Sequence, residues 1–177
     1  MNNSDQAGQF SPTRIQITRV VTQAPAYARS AAVATIFRAG LVCGVLDISA
    51  ALITWSFYGV HPFRILQGIA GGLLGPQAFQ GGWPTALLGA ACHFFIAFSA
   101  ATVFCVASRK WKFLTQHAIF SGISYGIAVY FVMYWMVMPL SRLHLSSFSA
   151  TRTAIAIVTH IFCVGLPISL SIRRYTV

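Results

Sequence analysis

Four stretches of the chain stay apolar for about twenty residues, which is the length a helix needs to cross the hydrocarbon core of a bilayer. They lie at roughly 39–58, 85–107, 117–139 and 153–172. Each ends in a recognisable way. Trp55 and Tyr58 close the first, where amphipathic rings suit the headgroup level. Pro84 stands where a helix starts and leads into the second, which ends on Arg109, Lys110 and Lys112 around Trp111. Pro139 and Ser141 end the third, and Arg173 and Arg174 end the fourth. Pro167, inside the fourth, removes one backbone donor and crowds the carbonyl of Cys163, which predicts a kink. The outer half of the third stretch is rich in Tyr130, Met133, Tyr134, Trp135 and Met138, a spacing that reads as packing.

Between the first two stretches runs His61–Pro84, too interrupted to span. Ile65, Leu66, Ile69, Ala70, Leu73 and Leu74 recur on one helical face, and Gly68, Gly71, Gly72 and Gly75 on another. This predicts a helix over about 63–74, roughly 18 Å long at 1.5 Å per residue, lying in the interface or entering the membrane part-way. A half-helix aiming its N-terminus at an anion is the functional alternative. The glycines are not a phosphate loop, because no GK[ST] follows and no strand precedes. The predicted fold is an all-α integral membrane protein with four transmembrane helices and this one additional helix. Residues 1–37 read as a basic, mobile tail with a short surface helix at Tyr27–Ile36. Residues 38–174 read as the membrane domain.

Composition agrees. The 177 residues are 56% hydrophobic and 8% charged, against about 25% charged in a soluble domain, so lipid is the expected solvent. The formal net charge is +10. Position decides what that excess means. With the N-terminus inside, the cytoplasmic side receives Arg14, Arg19, Arg29, Arg38, Arg109, Lys110, Lys112, Arg173 and Arg174, and the other side Arg64, Arg142 and Arg152. That bias is the positive-inside pattern of a plasma membrane protein with both termini cytoplasmic, and not a nucleic-acid surface. The arginine-rich start also resembles an organellar transit peptide, as any basic tail does. Cys43, Cys92, Cys105 and Cys163 all fall in apolar runs and form no CxxC pair, so they read as small buried hydrophobes.

One residue stands out chemically. Asp47 lies within GLVCGVLDISAA, and the other acid, Asp5, is in the tail. A carboxylate at membrane depth is costly and is rarely there without a partner or a task. It sits 11 residues before Tyr58, roughly 16 Å from that boundary, while His93 and His160 lie roughly 12 and 10 Å deep on the second and fourth helices. Small residues mark the faces that approach other helices: Gly40 and Gly44 beside Asp47, Gly89 beside His93, and Gly122 with Gly126 on the third helix. The simplest expectation is a structural polar cluster in which Asp47 accepts a hydrogen bond from His93 or His160. A proton or ion relay is the sharper alternative, since histidine titrates near neutrality. Haem ligation by the two histidines, or a metal site with Asp47 and a cysteine, is weaker, because no HExxH or other ligand spacing is present. No cofactor or metal is expected, and without GxSxG or a second acid, no catalytic residue.

The pattern GLVCGVLDISAALI, RILQGIAGGLLG, GGWPTALLGAACHFFIAF, VMPLS and THIFCVGLPISL resembles a family of small, uncharacterised bacterial four-span inner-membrane proteins. The resemblance covers roughly Arg38–Arg174. It implies four spans with Asp47, His93 and His160 at matching positions, and implies no activity. The short loop between the third and fourth spans departs from that family, whose members often carry a longer one. The expected function is that of a non-enzymatic membrane protein or complex subunit, with a proton- or ion-coupled transporter and a haem-binding redox protein as alternatives. The expected partners are the bilayer and a homo-oligomer or membrane-complex partner.

Overall fold

The structure is a computed structural model; it describes residues 12–143 and 149–176, with side chains over 30–143 and 149–174. Among the described residues every regular element is helical. Four helices are long and apolar enough to cross a membrane: Ser30–Phe57, Gly82–Lys110, Ala118–Leu140 and Ala150–Arg174. They match the four stretches read from hydropathy, leaving out only Tyr58 and His117 at the edges of the first and third. The short helix between the first two spans also forms, at Pro62–Leu74, followed by a 3-10 segment at Gly75–Gln80. A single turn, Phe113–Gln116, joins the second span to the third.

The N-terminal boundary differs from expectation. The first helix runs without interruption from Pro12 to Phe57, so it absorbs both the short surface helix anticipated at Tyr27–Ile36 and the join near Arg38. The local reason is alanine, the strongest helix former, at positions 24, 26, 28, 31, 32 and 34. Residues 1–11 lie outside the described residues, as does His144 of the last loop. At 46 residues the helix is about 69 Å long, twice what a bilayer core needs.

Two spans change their winding just before a proline. Met133–Val137 and His160–Gly165 are π-helical, and each is followed by one residue and then Pro139 or Pro167. The residue before each proline donates five residues back, Met138 N to Met133 O and Leu166 N to Ile161 O. A wider turn relieves the clash a proline ring makes with the carbonyl four residues earlier. At Pro167, where the sequence predicts a kink, the helix winds wider ahead of the ring.

Glycine decides which helices meet. A Cβ on Gly40 or Gly44 would strike the rings of Phe98 and Phe94, so the first span lies directly on the second. A Cβ on Gly89 would strike the backbone carbonyl of Leu66, so the second span seats the short helix. Gly122 and Gly126 face the backbone of the fourth span at Gly165–Leu166 and His160–Ile161. These small-residue faces are therefore occupied within the chain. The bundle core is built from Ala39 and Cys43, Ala97, Ala101, Phe104 and Cys105, and Val164, Ile168 and Ile172, contributed by the first, second and fourth spans. It lies at the end of the bundle that carries the chain termini. Outward-facing Leu87, Phe95, Val103, Phe120, Phe131 and Trp135 are exposed, an apolar surface that suits lipid and not water.

The short helix is fastened at both ends of its length. Buried Gln67 donates to Gly82 O and Thr85 Oγ1 at 3.3 and 3.2 Å, and Thr85 Oγ1 donates to Ala78 O at 2.7 Å. Phe63 packs edge-on against Trp83 with ring centroids 4.9 Å apart. At the other end, Arg142 N donates to Gly72 O at 2.9 Å. Gly71, Gly72 and Gly75 lie against Leu143, Ser141 and Arg142, while Gly68 has only Phe79 near it. The glycine face thus receives the segment leaving the third span. Gly75 holds φ +73°, a conformation that favours glycine and ends the helix.

Candidate functional site: a cleft between the first and fourth spans

The first and fourth spans pack closely around Cys43 and Ile168 and then separate. The space between them is a cleft of about 150 Å³, enough for several waters. The first span contributes Asp47, Ala50, Ala51, Thr54, Trp55 and Tyr58, and the fourth Arg152, Ile155, Ala156, Thr159 and His160. Each set follows the i, i+3, i+4 spacing of one helical face. Trp55, Tyr58 and Arg152 are exposed and mark the mouth, whereas Asp47 and His160 are half-buried at the inner end.

The structure brings two of the three candidate polar residues together and sets the third apart. His160 and Asp47 line the same cleft. His160 Nδ1 lies 2.8 Å from Ala156 O on its own helix. A carbonyl can only accept, so Nδ1 carries a proton, and among the described residues no hydrogen bond engages Nε2. The ring is held edge-on by Tyr130, centroids 5.8 Å apart. His93 does not line the cleft. Its Nε2 lies 2.9 Å from Gly44 O and donates to it, tying the second span to the first. That bond is made one turn from Asp47, on the glycine that lets the two helices approach. Neither imidazole bonds the carboxylate, because each is satisfied by a nearer backbone carbonyl.

Among the described residues no hydrogen bond or ion pair reaches Asp47, and no group of three His, Cys, Asp or Glu side chains is arranged to hold a metal ion. Cys43 and Cys163 lie within electrostatic reach of the carboxylate. All four cysteines are free thiols, with Cys43 and Cys105 buried. Away from the cleft, Tyr125 Oη donates to Ala100 O at 2.7 Å and Ser169 Oγ to Ala118 O at 2.7 Å.

Thr54, Ile155, Ala156 and Thr159 line the cleft without standing out in the sequence, where Trp55 and Arg152 read only as a boundary ring and a loop charge. Gly165 lies against the backbone of Gly122 and Gly126. A signal for the cleft existed: residues 47, 50, 51, 54, 55, 58 and residues 152, 155, 156, 159, 160 are two helical stripes, each ending on an ionisable residue.

Composition and fold together define a multi-pass integral membrane protein. No family model, no curated protein and no solved structure matches the chain.

Proposed function

We propose that the chain is a non-enzymatic plasma membrane protein that admits protons, from the side opposite its termini, to a relay formed by Asp47 and His160. One observation carries the reading: the carboxylate and the imidazole line a single cleft whose mouth is marked by Tyr58 and Arg152. An Asp–His pair at membrane depth, reached by water from one side, is suited to taking up and releasing a proton. The orientation follows from charge. Arg38, Arg109, Lys110, Lys112, Arg173 and Arg174 belong to the terminal end of the bundle, which the positive-inside pattern places in the cytoplasm, so the cleft opens outward. The resemblance to small bacterial inner-membrane proteins supports the same membrane.

The test is an acid step applied to liposomes containing the purified protein and an internal pH dye. The expected result is a proton flux in the parent that Asp47→Asn abolishes and His160→Gln reduces. No flux in the parent removes the proposal. A purely structural role for the pair predicts instead that Asp47→Asn costs well below about 2 kcal/mol of stability and moves no flux.

A further inference from the structure

We infer that the cleft binds a small organic ammonium ion, its nitrogen on the Asp47 carboxylate and its hydrocarbon part among Ala50, Ala51, Ile155 and Ala156. This rests on the proposed function in using the same carboxylate, but it needs no proton movement. The starting point is charge. Asp47 receives no hydrogen bond or ion pair among the described residues, and a carboxylate at this depth is stable only when neutralised by a proton or a cation. An anion is repelled there.

The walls decide which cation. Beyond Asp47, the inner cleft offers the Thr54 and Thr159 hydroxyls and the His160 ring, and is otherwise small and apolar. A hard metal ion takes about six or more oxygen ligands, which this lining does not assemble. An alkyl- or arylammonium needs one carboxylate and a greasy wall. The volume, about 150 Å³, equals that of cavities that accept benzene, so the ligand is of single-ring size. At the mouth, Trp55 and Tyr58 stand with ring centroids 5.9 Å apart and offer faces on which a cation can rest as it enters. Arg152 also lines the mouth. It is exposed, and eight residues separate it from His160, about 12 Å along the helix, where water and salt screen its charge.

The experiment titrates the full chain in detergent micelles with benzylammonium and with benzyl alcohol, its neutral counterpart, by calorimetry. Saturable benzylammonium binding is expected, with benzyl alcohol at least about thirtyfold weaker, and Asp47→Asn should weaken benzylammonium by a similar factor. Ala51→Phe fills the cleft while keeping the carboxylate and should abolish binding; Leu52→Phe, on the neighbouring face, should leave it unchanged. Should Asp47→Asn fail to fold, Ala51→Phe decides. Equal affinity for the two probes, or full binding by Ala51→Phe, overturns the inference. Asp47-dependent proton flux without benzylammonium binding overturns it too and leaves the proton reading intact, whereas binding without flux supports it and removes the other.

Discussion

The sharpest structural prediction concerns Gly126. In the structure a Cβ at this position would lie 2.6 Å from His160 O and 2.7 Å from Ile161 Cα. Both neighbours are backbone, so neither can swing aside. Gly126→Ala therefore forces the third and fourth spans apart by about 1 Å, and a gap of that size forfeits a quarter to a half of the dispersion attraction along the contact. Overpacking of this kind costs about 1–3 kcal/mol, and the rigid partner argues for the upper half of that range. Alanine returns up to about 1 kcal/mol through helix propensity, leaving a net loss of about 1–2 kcal/mol. Gly68→Ala is the matched control: only Phe79 Cζ, at 4.0 Å, is near its Cβ, so propensity dominates and the variant gains about 0.5–1 kcal/mol. Unfolding by SDS in mixed micelles, followed by circular dichroism, reads both. The two substitutions should move stability in opposite directions. If Gly126→Ala is neutral or stabilising, the third and fourth spans do not meet at this glycine, and the placement of His160 opposite Asp47 loses its support.

Two further substitutions probe the joints around the cleft. Thr85→Val removes both the acceptor of buried Gln67 and the donor to Ala78 O, and should cost about 1–3 kcal/mol in the same unfolding assay; no change would mean that the short helix is not anchored to the second span. His93→Phe loses the bond to Gly44 O, which in a membrane is worth on average about 0.6 kcal/mol, and should leave benzylammonium affinity and any Asp47-dependent flux intact; loss of either would place His93 in the site after all.

The spans were legible because solvent preference is a local property. Twenty apolar residues are committed to lipid whatever they pack against, and Leu87, Phe95 and Val103 face outward as that requires. The short helix was legible from its two faces, and the glycine pairs at 40 and 44 and at 122 and 126 from their spacing. Pairing was not legible, because it depends on the rotation of each helix about its axis and on which neighbour arrives there. In the sequence Gly89 and His93 mark one face that approaches another helix, but the two meet different partners: Gly89 lies against Leu66 of the short helix, while His93, one turn further on, meets the first span.

The same limit governs the site. Sequence alone placed one carboxylate inside an apolar run and two histidines at a comparable count of residues along theirs, since position along a helix is a local property. Only the tertiary structure separated them. Where an imidazole bonds is settled by the nearest acceptor: the close contact at Gly44 hands His93 a backbone carbonyl, and the turn entering the π-helical segment hands His160 that of Ala156. Asp47 is left facing a cleft that exists because the first and fourth spans, packed around Cys43 and Ile168, part beyond His160.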